Sequence, residues 1–469
     1  MFKGKVLLAI VVARLLIGLI RLWGKSKGSS LPGMLALKIC PGITGFLARQ
    51  SRQGIILVSG TNGKTTTNNM LAQIMKKAGH RVVVNYEGAN LITGVATALI
   101  KAADFKGKLE GDYSILEVDE AALPRVAQEV RPRMVVLTNF FRDQLDRYGE
   151  IDKTIAMLCN ALSKLPETSL ILNADDPLVA QFEKKTGLPV VYYGLGKHEK
   201  VITTSSGVKE AKFCPLCGTK LTYAYYHYGQ IGSYHCTGCG FTRPQPRVEG
   251  FQVKTGNKTA NCFVCCHKGV VSLNLPVYGL YNLYNALAAL TAGLNLNISL
   301  TAIISALQNY TPVIGRMERY NFQGKPVFLN LVKNPAGFNE GLAALLETRE
   351  KSDVFFAIND LDADGKDISW LWDVDFEKLA DKEKYFNIFV CTGTRGEEMA
   401  LRLKYANLPV SKIKICPVQK RAVKEVLSGT GKTAFLLTTY TALWPTEKFL
   451  AKIAQKERIY EAERVPSVS

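Results

Sequence analysis

Acidic residues are missing from the first 53 positions, where nine Lys or Arg stand without a single Asp or Glu. The 469-residue chain carries 59 Lys and Arg against 40 Asp and Glu, a formal charge of +19. Nearly half of the excess therefore sits at one end, and the field favours anionic partners: nucleic acid, an acidic membrane face or a phosphorylated substrate. A long uninterrupted apolar run is also missing. Val6 to Ile20 is apolar except for Arg14, too short and too interrupted for a spanning helix of about 20 residues. No small-residue cleavage site follows it, which argues against a signal peptide. A helix buried against the first domain and a helix lying on the inner membrane face both satisfy this stretch. The eleven Cys do not form a disulfide framework: four fall in two CxxC units and the rest are scattered or clustered at Cys262, Cys265 and Cys266. That usage fits a reducing cytoplasm. With 47% hydrophobic and 21% charged residues, the chain can bury a large core in two or three domains, so disorder is not a reading of this sequence.

Gly54 to Val58 is a short apolar run rich in β-branched residues, and the segment from Thr66 to Gly79 has helical spacing closed by Gly after two Lys. Between them lies Ser59-Gly60-Thr61-Asn62-Gly63-Lys64-Thr65-Thr66. In a strand-to-helix loop, backbone N–H groups at the helix start point at phosphate oxygens, Lys64 neutralises the terminal phosphates and the Thr65 hydroxyl can ligate Mg²⁺. Val58 occupies the first Gly position of the strict phosphate-loop pattern, so the loop is a shorter variant. Gly429-Thr430-Gly431-Lys432-Thr433 looks similar but follows a helical stretch and precedes a strand. That order puts no helix start behind the phosphates, and we read it as a turn.

Cys214-Pro-Leu-Cys217-Gly and Cys236-Thr-Gly-Cys239-Gly are two knuckles separated by 18 residues. This is zinc-ribbon spacing: four thiolates would complete a closed tetrahedral structural Zn²⁺ site with no position open for catalysis. Cys262, Cys265, Cys266 and His267 alternate within a strand-like run, which favours a strand over a ligand set. From about Thr311 strands and helices alternate again, predicting a second α/β domain with a mostly parallel sheet. Its acid-rich loop, Asn359 to Trp370, starts like a calcium loop but has Leu371 where the closing Glu belongs.

The words Gly60-Thr61-Asn62-Gly63-Lys64-Thr65-Thr66 resemble the phosphate loop of the Mur ligase family, ATP-dependent enzymes that build peptidoglycan stem peptides. Further resemblances follow in order. Leu116 to Glu120 ends a strand where the family places a Mg²⁺-binding Glu, here Glu117. Leu137-Thr138-Asn139 with Asp143 to Gly149, and Asn173-Ala174-Asp175-Asp176-Pro177, are similar to two more family segments. Asn282 and Asn285 stand in a helix start like the one that reads adenine, and Arg316 in a segment like the one near the γ-phosphate. Gln144 stands where the usual Mur ligases have a metal-binding His, and Cys159 near their carbamoylated Lys; the resemblance does not carry over a second metal site. The loop 359–370, Asn330 to Gly337 and the cysteine box narrow the resemblance to the MurT branch, the Mur-ligase-like subunits of lipid II isoglutaminyl synthase.

The fold so implied is α/β: a basic N-terminal helical segment (1–52), a Mur-ligase-type central P-loop ATPase domain (53–310) with an inserted four-cysteine zinc ribbon at about 205–245, and a C-terminal Rossmann-like α/β domain (311–469). The resemblance implies a cytoplasmic ligase that uses ATP and Mg²⁺ to activate the α-carboxylate of D-glutamate in lipid II as an acyl phosphate, which ammonia converts to D-isoglutamine. By the same resemblance, ammonia would come from a GatD-type glutamine amidotransferase in a heterodimer; this chain itself has no Gly-x-Cys-x-Gly nucleophile turn with a His downstream. Asp367 matches the branch's aspartate thought to complete a Cys-His-Asp triad with that partner; read alone, it is a loop carboxylate that caps the next helix. Two other functions remain open: an amino-acid-adding Mur or folylpolyglutamate ligase, and a zinc-ribbon nucleic-acid-binding ATPase. The ribbon has few cations, which ranks nucleic acid low.

Overall fold

The structure, a computed structural model, describes residues 2–23, 30–85, 89–142, 151–199, 201–203, 210–255, 259–311 and 318–457. Two compact units divide the chain. The first comprises 1–141, 148–275 and 280–310, and the second 142–147, 276–279 and 311–469.

In the first unit, apolar β-branched runs form a nine-stranded sheet. Its strands are β1 (Gly54–Ser59), β2 (Val82–Val84), β3 (Tyr113–Glu117), β4 (Met134–Leu137), β5 (Ser169–Asn173), β6 (Val190–Leu195), β9 (Val248–Thr255), β10 (Ala260–Cys266) and β11 (Gly269–Leu275), with the hairpin β7 (Thr222–Tyr228) and β8 (Ile231–His235) set apart from it. The order is β11-β10-β9-β6-β5-β4-β1-β3-β2. From β2 to β9 every pairing is parallel, and β10 and β11 add an antiparallel edge. Strand β1 lies between β3 and β4, where the strand order reverses, and in open α/β sheets ligands bind beyond the carboxyl ends of the strands at that reversal. Strand β10 alternates buried and outward residues, with Cys262 and Cys266 inward and Cys265 exposed, which is the strand pattern rather than a ligand set.

Helices α1 (Phe2–Trp23), α2 (Leu31–Ile39) and α3 (Ile43–Ala48) pack on the first unit. Val6, Ala9, Ile10 and Ala13 of α1 join the core shared with Leu57, Val95 and Leu99. No helix among the described residues is long and apolar enough to cross a membrane.

The second unit is built on a seven-stranded sheet of β12 (Glu318–Phe322), β13 (Lys325–Leu331), β14 (Ser352–Ala357), β15 (Phe386–Thr392), β16 (Ile413–Ile415), β17 (Thr433–Thr438) and β18 (Gln455–Lys456), in the order β16-β15-β14-β17-β13-β12-β18. The five strands from β16 to β13 are parallel. Val354 and Phe356 enter one core and Phe355 and Ala357 the other, so both faces are covered and the strands read as continuous apolar runs. Gly429 to Lys432 joins the helix Gln419–Ser428 to β17. Its Gly431 N–H donates to Asp353 at 2.9 Å, so this loop is a helix-to-strand turn.

Candidate functional site

The loop after β1 is shaped by close backbone approaches. Gly60 has φ +119°, and a Cβ there would fall 2.3 Å from Thr138 Oγ1; Gly63 has φ +84°, and a Cβ there would fall 2.1 Å from Asn285 Oδ1. Both positions therefore require glycine, for conformation and for space. The residues after β4 brace the loop. Thr138 Oγ1 donates to Asn62 O at 2.7 Å, Asn62 N–H donates to Asn139 Oδ1 at 3.0 Å, and Thr61 N–H donates to Asn139 O at 2.8 Å. The helix α4 (Lys64–Lys77) starts directly at the loop, with Gly63 as its N-terminal flank, so its first N–H groups open onto the loop as an anion site requires.

Lys64 is buried, and its ammonium donates to Gly60 O at 2.5 Å, Thr61 O at 3.1 Å and Glu120 Oε2 at 3.1 Å. Thr65 is half-buried and Thr66 is buried. Glu117 ends β3 beside Val58, the residue leading into the loop. Its carboxylate lies 3.4 Å from Asn90 Nδ2, and Asn85 fixes its backbone by a reciprocal pair of bonds at 2.7 and 2.8 Å. Glu120 was not among the residues singled out from the sequence. It follows the strand in an irregular turn, where no periodicity tells which of Glu117, Asp119 and Glu120 faces the loop.

Asn282 and Asn285 lie on one side of the helix Leu280–Asn295, both buried. Asn285 Nδ2 donates to Asn282 Oδ1 at 3.2 Å and Asn285 Oδ1 accepts from Thr67 Oγ1 at 3.3 Å, which joins this helix to α4 beside the loop after β1. Gly60, Thr61, Asn62, Gly63, Lys64, Thr65 and Thr66 are thus brought together with Asn285 and Asn282, while Glu117 stands at the neighbouring strand end. Arg316 and Gln144 lie outside the described residues. Cys159 is buried in the helix Ile151–Leu162, and burial pushes its thiol up to about 11.

The four sulfurs of Cys214, Cys217, Cys236 and Cys239 lie within 4.8 Å of one another, a group that could hold a metal ion. The two knuckles have matched backbone bonds. Gly218 N–H donates to Cys214 O at 2.9 Å and Cys214 N–H to Thr219 O at 2.7 Å; Gly240 N–H donates to Cys236 O at 3.0 Å and Cys236 N–H to Phe241 O at 2.7 Å.

Just beyond the second knuckle, Arg243 reaches back to the sheet. Its Nε lies 2.5 Å from Oδ1 of Asp175, a fully buried carboxylate that also accepts from Leu195 N–H at 2.7 Å and Tyr284 O–H at 2.7 Å. Tyr284 belongs to the same helix as Asn282 and Asn285. The cysteine module and that helix thus share one buried carboxylate, a link between residues far apart in sequence that composition and spacing do not reveal. Next to it Asp176 caps the helix at Pro177, and burial pushes its carboxyl up to about 7.

In the second unit the carboxylates of the acid-rich loop diverge. Asp360 pairs with Arg395 at 2.8 Å and accepts from Thr394 Oγ1 at 2.7 Å; the Thr394 bond and then the guanidinium hold its carboxyl below the usual range. Asp364 is buried and accepts from Thr441 N–H at 2.8 Å, whereas Asp362 is exposed beside Lys366. Three carboxylates turned to separate partners do not make a calcium loop. Asp367 is half-buried, and its Oδ1 accepts from Ser369 N–H at 2.8 Å at the start of the 3₁₀ turn Ser369–Asp373.

Residues 58–237 match the Mur ligase middle domain and residues 331–443 the MurT ligase C-terminal domain. The chain is 38% identical over 439 residues to the lipid II isoglutaminyl synthase (glutamine-hydrolyzing) subunit MurT of Staphylococcus aureus strain COL, covering 93% of this chain and 96% of that one. It is 34% identical to the subunit of the same name from Streptococcus pneumoniae R6, covering 92% and 94%. In fold it is similar to a pseudomurein peptide ligase type C from Methanothermus fervidus, with a TM-score of 0.66 and 23% identity over 87% of this chain and 80% of that one. Identity at this level along nearly the whole of both sequences makes the chain a member of the MurT branch of the Mur ligase family.

Proposed function

We propose that this chain is the ATP-using subunit of a two-subunit ligase that converts the α-carboxylate of D-glutamate in the lipid II stem peptide to the amide, giving D-isoglutamine. The observation that supports this reading best is the joint match: a braced phosphate loop at the reversal of a parallel sheet, in a chain that resembles MurT subunits from end to end. In the reaction a carboxylate oxygen attacks the γ-phosphorus of ATP and ADP leaves. Ammonia then attacks the acyl carbon of the resulting acyl phosphate, inorganic phosphate departs with the C–O electron pair, and the nitrogen loses a proton.

Gly60 to Thr66 would cradle the phosphates through backbone N–H groups and Lys64, and Asn282 and Asn285 would read the adenine. The two glycines that no Cβ can replace and the helix start behind them fit a phosphate chain. Thr65 and Glu117, a hydroxyl and a carboxylate, are suited to Mg²⁺, which when bound would neutralise charge on the transferring phosphoryl group. Cys214, Cys217, Cys236 and Cys239 would hold Zn²⁺: sulfurs at about 2.3 Å from one ion stand roughly 3.8 Å apart, and here Cys217 Sγ lies 3.4 Å from Cys236 Sγ and Cys214 Sγ 3.6 Å from Cys239 Sγ. With four thiolates the site is closed and structural.

Ammonia would be supplied by a GatD-type glutaminase subunit, with Asp367 orienting the partner's imidazole and stabilising its charged form. The chain would work in the cytoplasm, where ATP is, on a substrate held in the inner leaflet. The test combines the chain with such a partner, lipid II, ATP and glutamine, and reads product mass. Amidation gives a product lighter by the difference between OH and NH₂, whereas an amino-acid-adding ligase gives one heavier by a residue. Residue addition, or unchanged turnover in Lys64→Ala, would overturn the reading.

A further inference from the structure

Helix α1 is apolar on two opposite faces, and only one of them is covered. Val6, Ala9, Ile10, Ala13 and Ile17 are buried against the first unit. On the other side Leu7, Leu8, Val11, Leu15 and Leu19 are open to solvent, with Leu8 55%, Leu15 63% and Leu19 53% exposed. At about 100° per residue these five form one stripe along the helix. Within the stripe a Cβ on Gly4 or Gly18 would meet nothing within 4 Å. Contiguous exposed leucines on a folded unit mark a surface that something else covers.

The charges around the stripe say what covers it. On the helical wheel Lys5 flanks one side and Lys3 and Arg14 the other, with no acidic residue anywhere in the first 53 positions. Arg14 donates to Lys101 O at 3.2 Å and lies 4.6 Å from the ring centre of Phe105, itself 63% exposed at the tip of the turn 104–108. That turn carries Lys106 and Lys108; its one acid, Asp104, accepts from the backbone N–H groups of both, and the Lys108 ammonium lies 3.9 Å from the exposed Glu110 just beyond it. A protein partner seated on leucines would leave the cations along both edges to be matched one by one. An anionic bilayer meets them all, because long basic side chains reach up to the headgroups while the leucines enter the acyl boundary. The same helix lacks the uninterrupted apolar length to cross.

We propose that the outer face of α1, with Phe105 at its edge, docks the chain on an anionic lipid surface, the helix lying in the plane of the interface. This deepens the proposed function by placing the active unit on the membrane that holds its substrate. It rests on the surface of α1 and not on the amidation chemistry.

The test sediments the full-length chain with vesicles of phosphatidylcholine, with or without phosphatidylglycerol, and free of lipid II. The expected result is partition into the anionic vesicles that weakens as salt rises. Leu8→Glu with Leu15→Glu should lower it by roughly a hundredfold, from the lost burial of two leucines. Lys3→Glu with Lys5→Glu should remove roughly tenfold or more of the preference for anionic over neutral vesicles. Both double variants change only solvent-facing side chains and should melt at the parent temperature; Leu8→Gln with Leu15→Gln replaces the first pair if it does not. No partition of the parent chain, or equal partition of the leucine variants, overturns the proposal. So does a self-associated chain that the leucine variants render monomeric without any vesicle binding. Loss of amidation with vesicle binding intact would sink only the proposed reaction, and the reverse only the docking surface.

Discussion

The ammonium of Lys64 is held 3.1 Å from the carboxylate of Glu120, with both side chains about nine-tenths buried. The cation is folded back into the loop it serves, and it also bonds the carbonyls of Gly60 and Thr61. Removing one partner of a buried pair costs about 3–5 kcal/mol because the other charge is left without compensation. Lys64→Ala should therefore abolish ATP turnover and also lower stability, whereas the Lys64→Met, Glu120→Gln double variant should regain most of the stability and none of the turnover. Thermal unfolding and an ATPase assay on the three chains check both halves. If Lys64→Ala melts like the parent, the pair is not held as the structure has it.

Gly63→Ala tests the contact between the loop and the Leu280–Asn295 helix. The new methyl would lie 2.1 Å from Asn285 Oδ1 at a φ of +84°. A non-glycine residue in that conformation costs about 1 kcal/mol or more before any clash, and the displaced amide also loses its bond from Thr67. Nucleotide affinity should fall by at least roughly tenfold, measured by calorimetric titration. Gly79→Ala, also at positive φ but with open space around it, should leave affinity unchanged.

The strand-to-helix setting of the loop and the cysteine spacing are legible in the sequence because each depends on a few adjacent residues. The alternating apolar runs likewise announce β13, β14, β15 and β17, whose two faces are both buried. The short edge strands β12, β16 and β18 are not announced: β16 has only three residues, outward on two of them, and no apolar pattern separates it from a loop. Glu120, Arg243 and Tyr284 escape for another reason. Their roles come from long-range contacts, with Lys64 and Glu120 separated by 56 positions and Arg243 and Asp175 by 68, and local patterning carries no signal of these.

Breaking the proposed zinc site should loosen more than the knuckles. Asp175 is fully buried between Arg243, next to the cysteine module, and Tyr284, on the helix proposed to read adenine. Cys214→Ser should reduce bound zinc from one ion per chain toward none, read by metal analysis. Because Arg243 is then less well held, nucleotide affinity should drop as well. Arg243→Met should keep the zinc and lose stability by about 3 kcal/mol or more, since Asp175 would lose the cation that compensates its buried charge. Zinc retained in Cys214→Ser would count against the four-thiolate site.

Asp176 gives a pH dependence with a definite sign. Burial raises its folded pKa from the ordinary 3.8 to about 7, so between these values the folded chain holds a proton that the unfolded chain has released. Stability from this group is present below pH 3.8 and is lost as pH rises through about 7. Asp176→Asn keeps the acceptor for Leu178 N–H but turns an amide N–H toward Phe140 N–H, which Oδ2 accepts at 2.9 Å, so it should lower stability at every pH, and the pH slope is the readout. It should flatten the fall of the melting temperature of the first unit between about pH 5 and about pH 7. An unaltered slope would mean that Asp176 is ionised throughout.

Asp367 separates its two readings by the source of nitrogen. As a cap it offers one bond, to Ser369 N–H at 2.8 Å, and its loss would cost about 1 kcal/mol of local stability with any nitrogen donor. As the orienting acid of a shared triad it would matter only when glutamine must be hydrolysed, where replacing such an aspartate by its amide can cost about 10⁴ in rate. Asn preserves the cap geometry, so Asp367→Asn isolates the charge. The complex carrying it should lose glutamine-driven amidation by at least about a hundredfold and keep amidation driven by ammonium chloride near the parent rate. Equal losses with both donors would assign Asp367 to the ligase chemistry or to the fold, and no loss with either would leave it a helix cap.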